Sequence, residues 1–328
     1  MKNKNFKKII NLNDTTRDYT KPRLNIKLEP WQITGFVDSE GGFFLSISNK
    51  KTSLIGKTLK LEFKVTQKSH SAGILYEIKD YFKCGNVVID NRQSDTKKFH
   101  VNSLSDILTI IIPHFDKYPC LTSKFLNFKD WKIIALMMQD KKHLTSEGID
   151  KILEIASKMN KNRPFEEKYK ICFNYLINST ENKFIEISPH WIQTFLNGEG
   201  MFYCYVSQKQ SRGKLYQGCD SSLEIAQNNH DIAVLLSIKD FFSGGYIKPK
   251  YNFYDLSDCI KSRSVNRFIL RDTKSIIDFV DKYPMLTRKQ LDFLDWKKIV
   301  NLKKIDAHKT KEGLNLINKI ISQMNSKR

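Results

Sequence analysis

The sequence contains the same long pattern twice. ITGFVDSEGGFF (33–44) is matched by IQTFLNGEGMFY (192–203), IKDYF (78–82) by IKDFF (238–242), and FDKYPCLTSKFLNFKDWK (115–132) by VDKYPMLTRKQLDFLDWK (280–297). SEGIDKILEIASKMN (146–160) is matched by KEGLNLINKIISQMN (311–325), and LEFKVTQK (61–68) pairs with LEIAQNN (223–229) around a shared glutamine, Gln67 and Gln227. A unit of about 160 residues is a duplicated domain, far beyond the roughly 20–50 residues of a solenoid repeat. Residues 161–188 have no counterpart and read as a linker. The expected division is a disordered or extended N-terminal arm over 1–25, a first repeat domain over 26–160, the linker, and a second repeat domain over 189–328.

Within each copy the hydrophobic period changes in a fixed order. Pro30 and the pair Ser188-Pro189 mark helix starts. The helix that follows runs to Gly41 or Gly200, glycine being the usual residue just past a helix end. Two strands come next: Phe43, Leu45 and Ile47 alternate with polar partners, then Leu59, Leu61, Phe63 and Val65 do the same. Residues 70–83 read as helix, 86–91 and 97–103 as strands, and 105–117, 122–139 and 145–160 as helices. The fold class expected is α+β. It comprises two pseudo-symmetric αββαββα domains, each a four-stranded antiparallel sheet backed by helices, joined through a packed pair of first helices.

That arrangement leaves one face of each sheet bare. In copy one the face carries Ser46, Ser48, Lys50, Lys60, Glu62, Lys64, Asp90, Lys98 and His100. In copy two it carries Tyr203, Tyr205, Ser207, Lys209, Ser222, Glu224, Lys248, Lys250, Arg267 and Arg271. A solvated sheet face is common in antiparallel sheets. Here, however, cations that neutralise phosphates are mixed with acids, hydroxyls and a histidine that can read base edges in a major groove. The net charge of +20, on a chain that is 40% hydrophobic and well able to fold, points the same way, to a polyanionic partner.

The first helices carry an anomaly. Each ends in an acid followed by glycine, Glu40-Gly41 and Glu199-Gly200. Unpaired carbonyls give a helix C-terminus partial negative charge, so an acid there is repelled. Small residues four apart, Gly35 with Ser39 and Thr194 with Gly198, make a smooth stripe that lets two helices approach closely. Packed about a pseudo-twofold axis, the helices would bring both acids and both sets of carbonyls together. A divalent cation reverses the sign of that juxtaposition. Mg²⁺ takes hard oxygen ligands, often one or two carboxylates with waters and substrate phosphates, and Mn²⁺ or Ca²⁺ could fill the same oxygen sites. Glu40 and Glu199, with the carbonyls of Ser39 and Gly198, are the expected metal ligands. Two metals flanked by two basic sheets suggest attack on two phosphodiesters, one per strand of a duplex.

The two motifs, the duplicated KYPxLT…DW block and the EG…MN ending together resemble the LAGLIDADG homing endonucleases, in the single-chain, two-repeat form found in fungal mitochondrial introns. The likeness covers roughly residues 28–328. It implies a monomer whose eight strands form a saddle over double-stranded DNA of roughly two turns, ~20 base pairs. It implies metal-dependent cleavage of one phosphodiester on each strand across the minor groove, leaving short 3′ overhangs, and a mitochondrial location. By position it implies catalytic roles for Glu40 and Glu199, for the second-strand Gln67 and Gln227, and for Lys124 and Lys289 just past the Pro-x-Leu element. Some members of the family are RNA-binding maturases, so intron RNA is an alternative partner and a maturase, or an enzyme with both activities, the alternative function. Two departures stand out. Thr194 replaces the usual motif glycine, and Asn197 replaces the usual first acid, which is Asp38 in copy one.

Other chemistries are poorly served. There is no Walker loop, GxSxG elbow or HExxH helix. The six cysteines form no CxxC pair and read as reduced, mostly buried thiols. No run of 18 apolar residues exists, so no membrane span is expected. Trp131 and Trp296, repeated in DWK, read as helix-packing anchors.

Overall fold

A computed structural model describes residues 25–49, 56–178, 183–211, 214–262 and 265–325. The expected N-terminal arm, apart from Asn25, and Lys50 lie outside the described residues, as does the side chain of Lys209.

Copy one opens with helix α1 (Pro30–Glu40), followed by strands β1 (Gly41–Asn49) and β2 (Lys57–Lys68), helix α2 (Gly73–Phe82) and strands β3 (Asn86–Asn91) and β4 (Thr96–Val101). Helices α3 (Ile112–Lys117), α4 (Lys124–Gln139) and α5 (Ser146–Ser157) complete it. After α6 (Phe165–Leu176), copy two repeats the order with one added helix between its last two strands. It comprises α7 (Pro189–Glu199), β5 (Gly200–Ser211), β6 (Lys214–Asn228), α8 (Ile232–Phe241), β7 (Tyr246–Lys248), α9 (Leu256–Ser262), β8 (Val265–Leu270), α10 (Thr273–Lys282), α11 (Lys289–Lys304) and α12 (Lys311–Ile321). Each copy holds one four-stranded antiparallel sheet, ordered β1-β2-β4-β3 and β5-β6-β8-β7.

Each sheet buries its apolar face under helices, as the period-two pattern requires. Phe43, Leu61, Phe63, Val65 and Phe99 form the floor of one core with Phe115, Phe128 and Trp131. Phe202, Leu223, Ile225 and Phe268 form the other with Phe293 and Trp296. The two tryptophans are fully buried, and each donates its indole N–H to the first strand of its sheet. Trp131 reaches the Phe44 carbonyl at 3.1 Å and Trp296 the Tyr203 carbonyl at 3.2 Å. Both therefore pin helix to sheet, as expected of packing anchors. Five of the six cysteines are buried and none is in a disulfide.

Three details refine the sequence reading. Gly41 and Gly200 follow the motif helices but are extended, with φ of −106° and −81°, so neither is a left-handed cap. They are needed because the chain turns straight from helix into strand. A Cβ on Gly41 would stand 2.9 Å from Val37 Cα, and one on Gly200 2.8 Å from the Leu196 carbonyl oxygen. The shared Leu-Glu of the second strands is a coincidence of letters. Glu62 lies opposite Phe44 and Ser222 opposite its counterpart Tyr203, while Lys64 faces Gly42 and Glu224 faces Met201. Glu224 thus occupies the place of Lys64, and Ser222 that of Glu62. Finally, the stretch expected as a linker contains a packed helix. Its helix α6 buries Tyr169, Cys172, Phe173 and Leu176, and Tyr169 donates its hydroxyl to the Phe253 carbonyl of copy two.

Candidate active site and nucleic-acid interface

The motif helices α1 and α7 pack against each other so closely that the backbone itself is the contact. A Cβ on Gly35 would run into the Trp191 carbonyl and Thr194 Oγ1. One on Gly198 would stand 2.5 Å from Ser39 Cβ. Gln32 Nε2 donates to Gln193 Oε1 across the pair at 2.7 Å, buried. Thr194 fits where glycine is usual because its hydroxyl turns back onto its own helix, donating to the His190 and Trp191 carbonyls at 3.2 and 3.3 Å.

The first acid of the motif is an anchor. Asp38 is buried and its carboxylate accepts four hydrogen bonds. Leu121 N and Trp191 Nε1 reach Oδ2, both at 2.8 Å, while Thr122 N at 3.2 Å and Thr122 Oγ1 at 2.6 Å reach Oδ1. Burial pushes its pKa up, and the hydrogen bonds from Thr122, Leu121 and Trp191 oppose the shift. Asn197 does the matching work in copy two. Its Oδ1 accepts from Leu286 N, Thr287 N and Thr287 Oγ1 at 2.9–3.0 Å, and its amide donates to the Gln193 carbonyl at 2.7 Å. The difference between the copies has a cause. Asp38 faces an indole N–H from the partner helix, whereas the residue at that place in copy one, Gln32, is committed to Gln193. These bonds tie each Pro-x-Leu-Thr loop to a motif helix and so fix the lysine that follows.

Those lysines sit at the helix ends. Lys124 Nζ donates to the carbonyls of Val37 and Ser39 at 3.0 and 3.2 Å. Lys289 Nζ donates to Gly198 at 3.4 Å and to Gly200. Each cation meets the partial negative charge of a helix C-terminus. The acids Glu40 and Glu199 share that end. Burial raises both pKa values above the ordinary glutamate range. Lys124 and Lys289 counter the shift at each acid, and at Glu199 the charge of Glu40 adds to the rise, while a Gln227 hydrogen bond opposes it. Burial lowers the pKa of Lys289, against the pull of Asp292, Glu40 and Glu199. Glu40, Glu199, Lys124, Lys289 and Gln227 are therefore one electrostatic cluster. Gln67 lines a hollow of about 500 Å³ with Glu199 and Lys289, and its own Oε1 accepts from Lys68 N at 2.8 Å.

The same hollow contains two residues that the sequence reading passed over, His70 and Arg288. Arg288 sits one residue before Lys289, where copy one has Ser123, and its Nε is buried without a hydrogen-bond partner among the described residues. The signal was the arginine in the repeated LTS/LTR step.

The expected sheet-face residues differ in their surroundings. Ser46, Ser48, Lys60, Tyr205, Lys248 and Arg267 are exposed, and Lys64, Tyr203 and Ser207 are half-buried. Asp90, Lys98, Glu62 and His100 form one cluster. Lys98 Nζ lies 3.0 Å from Glu62 Oε1 and 3.6 Å from Asp90 Oδ1, and His100 Nδ1 lies 3.3 Å from the same Glu62 oxygen. Ser222 and Glu224 depart from the expected bare face, being 5% and 7% exposed. Tyr203 pairs across from Ser222, and Arg267 lies over Glu224. Lys250 falls past the end of β7 and is not on the strand. Arg271 falls past the end of β8 but returns over the Tyr246 ring, 5.7 Å from its centroid.

Comparison with known proteins decides the family. The LAGLIDADG endonuclease family matches residues 33–135 and 192–300, one segment in each copy. The chain belongs to the LAGLIDADG endonuclease family. It is 29% identical over 314 residues to a probable intron-encoded endonuclease of Neurospora crassa, covering 91% of this chain and 65% of that one. A second N. crassa probable intron-encoded endonuclease is 27% identical, over 94% of this chain and 57% of its own. The chain thus spans about two thirds or less of the length of these relatives. Among solved structures, the I-LtrWI LAGLIDADG homing endonuclease bound to target DNA superimposes with a TM-score of 0.75 at 27% identity, covering 91% of this chain and 98% of that one. The I-SmaMI LAGLIDADG homing endonuclease bound to cleaved DNA gives 0.75 at 25% identity, covering 92% and 98%. Both are two-domain LAGLIDADG folds, as is this chain.

Proposed function

We propose that the protein is a site-specific double-stranded DNA endonuclease that uses divalent metal to hydrolyse one phosphodiester on each strand of a long target. The observation that carries this is the pairing of Glu40 and Glu199, two half-buried carboxylates at the C-terminal ends of two packed helices, close enough that the charge of one raises the pKa of the other, where neither is electrostatically at home. Among the described residues no group of three or more His, Cys, Asp and Glu gathers. The donors present are one carboxylate per copy and the nearby carbonyls of Ser39 and Gly198. That set is all oxygen and too small to cage an ion, which suits Mg²⁺ completed by water and substrate phosphate. A cation bound there supplies an activated water and offsets charge on the phosphorane and leaving oxygen.

The chain's own residues do the rest. Lys124 and Lys289 hold the helix-end carbonyls and place a positive charge beside each acid, where charge builds on the scissile phosphate. Gln227 orients Glu199. Gln67 faces the same hollow and is assigned to ordering solvent. The two sheets, with their excess of lysine, follow the duplex on either side. Cleavage across the minor groove with short 3′ overhangs follows if the two acids address phosphates on opposite strands. We assign a mitochondrial location and a monomeric state on the strength of the duplicated chain and of fungal intron-encoded relatives such as the N. crassa and Schizosaccharomyces pombe proteins. Retention of both acids favours the endonuclease over a maturase, which has no use for them. The test is to incubate the protein and Mg²⁺ with a duplex recovered by its own binding from a randomised pool. Linear products with a defined cut on each strand support the proposal. Binding without cleavage in Mg²⁺ or Mn²⁺ defeats it.

A further inference from the structure

The duplication supplies an internal control for how each sheet reads DNA. By register, Lys98 on β4 and Arg267 on β8 are counterparts. Lys98 lies opposite Thr66, one residue before Gln67, and Arg267 lies opposite Ala226, one residue before Gln227. Their surroundings differ. Lys98 is held between two carboxylates, Glu62 and Asp90, and is 20% exposed. Its charge is spent within the protein. Arg267 has one acid, Glu224, with Nη1 at 3.2 Å from Oε2, and its side chain is 53% exposed. The Glu224 side chain is buried and held in place, its other oxygen accepting from Ser222 Oγ at 3.2 Å. The pair sits where the hollow beside Glu199 meets a second concavity of about 640 Å³ on the sheet face, lined by Tyr203, Tyr205, Tyr246, Lys248 and Arg271.

We infer that Arg267 and Glu224 together read a G·C base pair in the half-site under copy two, and that copy one makes no matching demand for guanine. This rests on the endonuclease reading. The chemistry is a match of edges. In the major groove guanine presents two acceptors, O6 and N7, and its paired cytosine presents the N4 amino donor. A guanidinium and a carboxylate side by side present donors and an acceptor in the complementary order. Arg267 keeps four of its five N–H groups beyond the bond to Glu224, enough for a bidentate grip on O6 and N7. Glu224 has lone pairs to accept from the cytosine amino group, and it limits the rotamers Arg267 can explore before DNA arrives. No other base pair offers that sequence of groups. A·T places a donor where guanine O6 would be, against the guanidinium, and a reversed C·G puts its donor on the wrong side.

The experiment is selection from a duplex pool randomised over about two helical turns, in Ca²⁺, with the wild type, Arg267→Lys, Arg267→Ala and Glu224→Gln. The wild type is expected to require guanine at one position in one half-site, with substitution there weakening binding roughly 5- to 100-fold. Arg267→Lys keeps the charge and loses the fork, so it should weaken the guanine preference at that position alone, lowering affinity for the guanine-containing site toward that of the other bases while keeping the salt dependence. Glu224→Gln should weaken the same preference without moving any other. An unchanged profile in all three variants overturns the inference and leaves the endonuclease reading standing. Failure of the wild type to enrich any sequence overturns both.

Discussion

Glu40 Oε1 lies 3.0 Å from where a Cβ on Gly198 would stand, so the carboxylate of one copy is pressed against the helix end of the other. The two half-sites are therefore not independent. Gly198→Ala would put a methyl 2.5 Å from Ser39 Cβ as well, and Ser39 is on a helix that cannot move without opening the interface. The variant should lose roughly 1–3 kcal/mol of stability. Displacing Glu40 by a fraction of an ångström should slow cleavage by about 10²-fold. Thermal unfolding and single-turnover cleavage read the two effects separately.

The half-buried acids make the metal-free protein pH-sensitive in a predictable direction. The folded-state pKa values of Glu40 and Glu199 are raised by burial. Their contribution to stability is thus full below the ordinary glutamate pKa and is lost as pH rises through the raised values. At neutral pH they cost the metal-free fold something. Glu40→Gln should raise the Tm of the metal-free protein by a few degrees, on the order of 2 °C. It should also shrink the further rise produced by Mg²⁺ or Ca²⁺ in the wild type. Differential scanning fluorimetry with EDTA and with metal checks both signs.

Asp38 and Asn197 are predicted to resist exchange. Asp38→Asn would turn an amide NH₂ toward donors that now meet a carboxylate oxygen. Asn197→Asp would set a carboxylate against the Gln193 carbonyl. Each should cost about 2–4 kcal/mol, because a buried polar group is left facing its own kind. Urea unfolding of both single variants measures this.

Binding should weaken steeply with salt. A saddle that neutralises 6–10 phosphates, as a net charge of +20 allows, loses about 10³–10⁵ in affinity between 50 and 200 mM salt. A shallow slope would mean that the sheets do not follow the duplex backbone.

Much of this was legible in the residues, for physical reasons. Strand faces such as Leu61, Phe63 and Val65 read correctly because burial on one side enforces period two. The motif helices read correctly because only small residues permit the approach seen at Gly35 and Gly198. Aligning the copies on Gln67 and Gln227 agrees with the register, which matches Glu62 to Ser222 in place of the Leu-Glu letters' match with Glu224. What failed was whatever depended on tertiary context. Ser222 and Glu224 read as bare because alternation gives the face and says nothing of what a neighbouring tyrosine and arginine cover. The packing of helix α6 was not legible because it has no second copy to be compared with, and its buried side chains meet both cores, Cys172 that of copy one and Tyr169, Phe173 and Leu176 that of copy two.

The central claim is that Glu40 and Glu199 each serve the cleavage of one strand. The most direct measurement is strand-resolved cleavage of the selected duplex by Glu40→Gln and Glu199→Gln, with binding measured alongside in Ca²⁺. The account predicts that neither variant yields the double-strand product at an appreciable rate while both bind DNA within about threefold of the wild type. That pattern would separate lost chemistry from lost binding. Efficient double-strand cleavage by either variant would contradict it.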